Sequence, residues 1–188
     1  MSFLDKIITL DKSTLIYLNN LGSEKWDGFW LAITHQYNWI PLFALMLFLI
    51  FKVYGLKKGL IILGIAAVLV AFTDQFVNLI KHTFERLRPN NDASVKNLIR
   101  IAYSPHSFSF VSGHATNSTA NTVLIYLLLK KHFKYAWLFF AWPLVFAYSR
   151  IYLGVHYPID VLGGALLGLI LGFGFYKICL FTLKKMNS

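Results

Sequence analysis

Five long stretches of this chain carry almost no charge, and they limit the folds that it can adopt. They lie at residues 28–51, 59–80, 115–129, 135–149 and 161–176. A helix needs about 20 apolar residues to cross the hydrocarbon core of a bilayer. The hydrophobic content of 57% also exceeds the roughly 45–50% of soluble domains. We therefore predict an all-α integral membrane protein, a bundle of five transmembrane helices, or six if the N-terminal segment also crosses.

The first 22 residues differ from these stretches because charged residues interrupt their apolar positions. Apolar residues recur near helical spacing from Phe3 to Leu18, and among them lie Asp5, Lys6, Asp11 and Lys12. This pattern is typical of an amphipathic helix that lies on the bilayer. It lacks the continuous apolar region and small-residue cleavage site of a signal peptide. We expect residues 1–188 to form a single membrane-embedded domain that begins with this helix.

Basic residues are concentrated on one side of the predicted bundle. Five spans would place the connections near 52–58 and 130–134 on the same side as the C-terminal tail, and this side carries nine lysines and no acid. By the positive-inside rule it faces the cytoplasm. The polar segments 81–112 and 150–160 would then face the periplasm or exterior of the inner (cytoplasmic) membrane. Because the lysines flank apolar segments, we expect them to contact anionic lipid headgroups and predict no nucleic-acid partner.

The first polar segment on the outer side reads KHTFERLRP and covers residues 81–89. Lys81 and Arg88 are seven residues apart and would share one face of a continuing helix, which Pro89 would end. Two cations on one face suit the binding of an anion. The alternative is a basic helix end whose side chains reach out to the bilayer surface.

The second polar segment, FSFVSGHATNSTAN at residues 108–121, opens the third predicted span. Its Ser112, Gly113 and His114 would lie where a helix presents free N–H groups and the positive end of its dipole. Such a helix start suits a phosphate. The alternative is a serine that only caps the helix.

The third polar segment, SRIYLGVHYPID at residues 149–160, precedes the last span. Pro158 can start that helix, which puts His156 just before it and Asp160 in its first turn. Asp160 could then reach one ring nitrogen of His156 and leave the other nitrogen free. Arg150 adds a further cation. A histidine considered alone in such a place would more often be structural.

Together the three segments supply three cations, two histidines, one oriented carboxylate and a helix start at one level of the membrane. Ionisable residues at such a depth are costly and therefore indicate a functional site. The set suits phosphoryl transfer, in which fixed positive charge stabilises the transition state. A metal site is the alternative, but the nearby acids are Glu85, Asp92 and Asp160, and the cations would repel a divalent ion. We predict no metal and no cofactor.

The three segments resemble the signature motifs of the type 2 phosphatidic acid phosphatase superfamily. KHTFERLRP, VSGH and SRIYLGVHYPID occur in the order of that family, and the resemblance covers about residues 26–176. The second motif of the family usually begins with proline, and this chain has Val111 instead. Since proline mainly fixes the turn, the difference bears on the rigidity of the loop more than on the chemistry.

The resemblance implies a role for each site residue. His156 would attack phosphorus and form a phosphohistidine, and Asp160 would fix its tautomer. His114 would protonate the leaving oxygen and later assist the attacking water. The phosphoryl oxygens would be held by Lys81, Arg88, Ser112, Gly113 and Arg150.

These features predict a metal-independent phosphatase that acts on a membrane lipid phosphate or diphosphate. Among small bacterial relatives, undecaprenyl diphosphate is the first candidate substrate, followed by phosphatidylglycerophosphate or phosphatidic acid and then a lipid A phosphate. The external loop, residues 90–111, should lie near the site and influence substrate choice. One alternative is a vanadate-dependent haloperoxidase, although those relatives are soluble. Another is lipid-phosphate binding or transport without turnover, which would not need His114, His156 and Asp160.

Overall fold

The computed structural model describes residues 2–186, which fold into helices and connecting loops without any strand. The six α-helices of this part of the chain are α1 (Phe3–Asn20), α2 (Glu24–Thr34), α3 (Ile40–Phe84), α4 (Gly113–Leu129), α5 (Ala141–Tyr152) and α6 (Pro158–Lys185). Short 3-10 turns lie at Gln36–Trp39, Pro89–Asn91 and Ala136–Phe140. The prediction of an all-α protein is confirmed.

Helix α3 is interrupted at Gly55, where the backbone is not helical. The φ and ψ angles there are 72° and 176°, a conformation that glycine adopts without steric cost. The break divides α3 into a first arm, residues 40–54, and a second arm, residues 56–84. The arms fold back on each other. The evidence is the ring of Phe51 in the first arm, which lies where a side chain on Gly59 of the second arm would be. Residues 40–84 therefore form a helical hairpin.

Within the described residues, two helical segments are long and apolar enough to cross a membrane, Gln36–Asn91 and Pro158–Lys185. The first contains both arms of α3. Helix α4 has 17 residues, or about 25 Å at 1.5 Å per residue, and α5 has 12. Each is shorter than the roughly 20 residues of a typical span. The number of five spans therefore stays a prediction.

The stretch 28–51 does not form one helix, which corrects the boundary of the first predicted span. Helix α2 ends at Thr34, and His35 has an extended backbone. The side chains of Asn38 and Trp39 donate hydrogen bonds to the carbonyls of Ala32 and Ile33 in the last turn of α2, where carbonyl groups lack some of their intrahelical partners. The hydropathy of the sequence is uniform across this stretch. It does not indicate the break, because the break depends on local polar contacts.

Helices α4 and α6 pack closely along a stripe of glycines. A Cβ atom on Gly164, Gly168 or Gly172 would come within 2.5–2.6 Å of a backbone carbonyl oxygen of residue 112, 116 or 120. Glycine at these three positions thus lets the two backbones approach. The contact fixes the start of α4, which carries His114, against the start of α6, which carries Asp160.

Helix α1 docks on the end of the bundle that carries the three polar segments, through a buried stripe of Asp11, Leu15 and Asn19. The amide nitrogen of Asn19 donates to the carbonyls of Tyr152 and Arg100 at 2.7 and 3.1 Å. Its amide oxygen accepts the Arg100 N–H at 2.7 Å. The apolar residues that remain exposed on α1 include Phe3, Leu4, Ile8, Leu10 and Tyr17. Helix α1 is therefore attached to the bundle through this stripe and its hydrogen bonds, and the exposed apolar side chains lie on its surface away from the bundle.

Candidate active site

The turn between α5 and α6 holds the predicted nucleophile. His156 lies in this turn with 1% of its surface exposed, and Pro158 begins α6. Asp160, in the first turn of α6, accepts the Tyr157 N–H at 2.8 Å. Its Oδ2 lies 3.5 Å from His156 Nδ1. The sequence spacing therefore does bring the carboxylate to one ring nitrogen, although at a distance longer than a hydrogen bond.

Ser109, for which the sequence predicted no role, bridges these two residues. Its hydroxyl donates to Asp160 Oδ2 at 2.5 Å, and its Oγ lies 3.3 Å from His156 Nδ1. Ser109 is completely buried. It belongs to an irregular segment, where no periodicity marks one serine among several, so the sequence offered no signal for it.

Arg88 contacts the other ring nitrogen of His156. Its Nη1 lies 3.1 Å from His156 Nε2 and also donates to the Val155 carbonyl at 3.0 Å. Its Nε and Nη2 donate to the carbonyl and hydroxyl of Ser107 at 2.6 and 2.9 Å. Because a guanidinium can only donate, Nε2 must be the acceptor and Nδ1 must carry the ring proton. This assignment leaves the Nε2 lone pair on the side of the cations.

The other two predicted cations, Lys81 and Arg150, are also buried, with 8% and 3% exposed. Arg150 Nη1 donates to the Thr34 hydroxyl at 2.5 Å, and its guanidinium lies 5.8 Å from the Tyr103 ring centre. Burial and the charges of Arg88, Arg150 and Lys81 lower the pKa of His156 well below its usual value. The imidazole is therefore neutral at neutral pH, as a nucleophile must be.

The second motif lies at the start of α4. Ser112 is the N-cap, and its Oγ accepts the Ala115 N–H at 3.5 Å, while its own N–H donates to the Asp160 carbonyl at 2.9 Å. Its backbone N–H is thus engaged, whereas Gly113 begins the helix, where N–H groups lack intrahelical partners. His114 stacks on Phe146 with 4.9 Å between ring centres. It lies within electrostatic range of His156 and the three cations.

Val111, in the place of the expected proline, is a buried packing residue. It has 4% of its surface exposed, and its Cγ1 would be 3.4 Å from a Cβ on Gly163. The next N–H, that of Ser112, is bonded to α6. Packing against α6 and this hydrogen bond hold the segment.

Two further charged residues, Arg86 and Asp11, support Asp160. Arg86 Nη1 lies 2.6 Å from Asp160 Oδ1, and its Nη2 lies 2.6 Å from Asp11 Oδ2. The guanidinium also stacks on Tyr157 at 4.1 Å from the ring centre. Arg86 lies within the first motif, between Lys81 and Arg88, but the sequence analysis assigned it no role. Asp11 is far from Asp160 in the chain, so the sequence offered no sign of their connection.

The external loop contacts the site directly. Ser107 accepts from Arg88, and Tyr103 lies over Arg150. Arg100 anchors the loop through hydrogen bonds to both Asp27 oxygens at 2.7 and 2.8 Å. In residues 2–186 no group of three or more His, Cys, Asp or Glu side chains could hold a metal ion. The arrangement instead places three cations around a neutral imidazole, which suits a phosphoryl group.

The resemblance to known proteins agrees with this geometry. The model of the PAP2 superfamily matches residues 59–182. A lipid A 4'-phosphatase of Bacteroides thetaiotaomicron is 31% identical over 95% of this chain and 81% of its own length. An undecaprenyl-diphosphatase of Sulfolobus acidocaldarius is 33% identical over 87% of this chain and 68% of its own length.

Solved structures share the fold. A phosphatidylglycerolphosphate phosphatase of Bacillus subtilis superimposes with a TM-score of 0.71 at 23% identity, covering 92% of this chain and 86% of that one. Aquifex aeolicus LpxE gives 0.64 at 25% identity, covering 88% and 93%. The predicted family is confirmed. The chain therefore belongs to the PAP2 superfamily, in which it is a membrane phosphatase.

Proposed function

We propose that this enzyme removes phosphate from a membrane lipid phosphate or diphosphate through a phosphohistidine at His156, without a metal ion. The observation that carries the proposal is the pair of contacts on His156. Nδ1 faces Ser109 and Asp160, and Nε2 accepts from Arg88. The ring is thus oriented with its lone pair toward a cationic space.

In the first step the Nε2 lone pair attacks phosphorus, and the bond from phosphorus to the lipid oxygen breaks. His114 donates a proton to that leaving oxygen. The positive charge on the His156 ring is balanced by Asp160. Lys81, Arg88 and Arg150, with the N–H of Gly113, stabilise the negative charge that develops on the phosphoryl oxygens.

In the second step a water molecule attacks the phosphohistidine. His114, now neutral, accepts a proton from the water, the N–P bond breaks, and inorganic phosphate leaves with the ring restored. Arg88 occupies Nε2 in the present structure. We expect its guanidinium to turn to the phosphoryl oxygens when substrate binds, while its bonds to Ser107 keep it in place.

The substrate ranking changes with the relatives. Lipid A 4'-phosphatases match 95% and 97% of this chain, whereas the match to undecaprenyl-diphosphatase covers 87%. We therefore place a lipid A phosphate first, undecaprenyl diphosphate second, and phosphatidylglycerophosphate or phosphatidic acid third. For any of these the site would face the periplasm or exterior of the inner membrane, because the opposite side carries the nine lysines.

The test is phosphate release by the purified protein in detergent with EDTA, over a panel of these lipids. Wild type should release phosphate in the presence of the chelator, and His156→Ala should release none. Phosphoenzyme trapped from labelled substrate should be stable in alkali and labile in acid, as a phosphoramidate is. Release that is equal in the two proteins, or that EDTA abolishes, would contradict the proposal.

The same preparation tests the alternatives. Halide oxidation that appears on adding vanadate together with hydrogen peroxide as the oxidant would favour a haloperoxidase, whereas inhibition of phosphate release by vanadate favours the phosphatase. Lipid binding without release from any substrate would favour a binding or transport protein.

A further inference from the structure

A large cavity opens between the two arms of α3 and helices α4 and α5. Its volume is about 550 Å³, within the roughly 300–1,000 Å³ of ligand pockets. Most of its lining is apolar, from residues such as Phe43, Ile50 and Trp142. The exceptions include a carboxylate and two amides, Asp74, Asn117 and Asn121. An apolar wall fits lipid chains, but this polar cluster needs another explanation.

The cluster continues directly from the proposed acid, His114. Asn117 and Asn121 lie three and seven residues after His114 in α4, so all three share one helix face. Asn117 is about 4.5 Å farther along the helix axis. Phe146 lines the cavity and stacks on His114. The cavity therefore adjoins the position where the leaving group of the lipid would be.

The cluster contains two acceptor groups, the Asp74 carboxylate and the Asn117 amide oxygen, beside the cavity. Asn117 Nδ2 donates to Asp74 Oδ1 at 2.6 Å, and Asn121 Nδ2 donates to the Asn117 carbonyl at 3.0 Å. Within residues 2–186, Asn117 Oδ1 is buried and has no hydrogen-bond partner. An unpaired polar atom in an apolar setting is costly, and so is a carboxylate within a membrane helix. A ligand that brings an N–H or O–H group into the cavity would pair with the exposed Asp74 carboxylate and, once the Asn117 side chain turns toward the cavity, with its amide oxygen.

We propose that Asp74 and Asn117 form a subsite that accepts hydrogen bonds from an amide N–H or a hydroxyl of the substrate lipid, close to its phosphate. The inference rests on the proposed function and narrows its substrate class. The enzyme prefers lipid phosphates that carry an amide or a hydroxyl beside the phosphate. Lipids whose chains are attached only through esters, or that consist of hydrocarbon alone, are poorer substrates. His114 and the cations recognise the phosphate, and Asp74 and Asn117 recognise its neighbour.

The test compares two probe lipids that differ in these donors. Ceramide 1-phosphate carries an amide N–H and a hydroxyl near its phosphate, and phosphatidic acid of matched chain length carries only esters. For wild type we expect kcat/KM for ceramide 1-phosphate to exceed that for phosphatidic acid by about tenfold or more, as for hydrogen bonds to a charged group. In Asp74→Leu the ratio should fall to about one, through loss of activity on ceramide 1-phosphate alone.

The matched control is Asn78→Leu, which removes an exposed polar side chain one turn farther along the same arm, outside the cavity lining. It should keep the wild-type ratio. A ratio that Asp74→Leu leaves unchanged, or an equal loss on both lipids, would overturn the subsite.

Binding separates the subsite from the chemistry. The thermal stabilisation of the full-length protein by each lipid is measured for wild type and Asp74→Leu. If wild type hydrolyses neither lipid but is stabilised more by ceramide 1-phosphate, and Asp74→Leu loses that difference, then the subsite stands and the phosphatase proposal fails. If neither turnover nor stabilisation distinguishes the lipids, the subsite is overturned.

Discussion

Asp11 of α1 and Arg86 form an ion pair with 2.6 Å between Oδ2 and Nη2, and Arg86 gives its other terminal nitrogen to Asp160 at the same distance. Asp11 Oδ1 also accepts the Ile159 N–H at 2.9 Å. The N-terminal helix is therefore joined both to the carboxylate beside His156 and to the backbone at the start of α6. Its contribution to the site is positional, because Asp11 acts through Arg86 and Asp160.

We expect Asp11→Asn to lower both stability and kcat. Removing one partner of a buried pair costs about 3–5 kcal/mol when the other charge is left alone, and the value here should be smaller because Arg86 is one quarter exposed and keeps Asp160 as a partner. Unfolding in detergent and phosphate release measure the two effects. The control Glu24→Gln changes an exposed acid at the start of α2 and should cost little. Unchanged unfolding and kcat in Asp11→Asn would show that α1 is not coupled to the turn.

Replacing Ser109 with alanine should reduce kcat more than it changes KM. The hydroxyl contacts Asp160 and lies beside His156 Nδ1, on the side of the ring away from Nε2 and the cations. Losing a hydrogen bond to a charged group costs about 1.5–3 kcal/mol, or about tenfold to a hundredfold in rate. Steady-state kinetics should show this, with the exposed Ser104→Ala as a control of wild-type activity. A larger change in KM than in kcat would instead place Ser109 in substrate binding.

The glycine stripe predicts a contrast between two alanine substitutions in α6. A Cβ on Gly168 would be 2.6 Å from the Thr116 carbonyl oxygen, whereas a Cβ on Gly174 meets nothing within 4 Å. Gly168→Ala should therefore separate α4 from α6 and cost about 1–3 kcal/mol, as overpacking does. Gly174→Ala should be neutral or slightly stabilising, because alanine favours a helix. Thermal unfolding in detergent measures both, and equal melting temperatures would contradict the close contact.

Acid should weaken the attachment of the external loop to α1. Burial opposes ionisation of Asp92, but hydrogen bonds from Lys12, Ser94 and Tyr157 outweigh it and hold the pKa of this carboxyl well below its usual value. A carboxyl with a depressed pKa stabilises the folded state above its unfolded value of about 3.9, and this stability is lost as pH falls toward the folded value.

The melting temperature of wild type should therefore exceed that of Asp92→Asn at pH 7, and the difference should shrink as pH falls below about 4. A difference that stays constant from about pH 7 to about pH 3 would show that the Asp92 carboxylate does not contribute through its charge.

Local patterns were sufficient for the helical class, and they predicted the main polar residues of the candidate site. Lys81, Arg88, Arg150, His114, His156 and Asp160 were all predicted from spacing and motif, and the structure brings the three cations near His156. Such predictions succeed because hydropathy and helix starts depend on neighbours in the chain. The residues that hold the site, Ser109, Arg86 and Asp11, were missed.

The sequence by itself determined that apolar helices carry three charged segments in a fixed order, since each of these features lies within a few turns of chain. Only the tertiary structure decided which distant side chains meet. Asp11 and Arg86 are 75 residues apart, and Asp74 pairs with Asn117 across 43 residues. A hydrogen bond between helices leaves no periodic trace, because it requires one donor and one acceptor at a crossing point that the packing of all the helices sets.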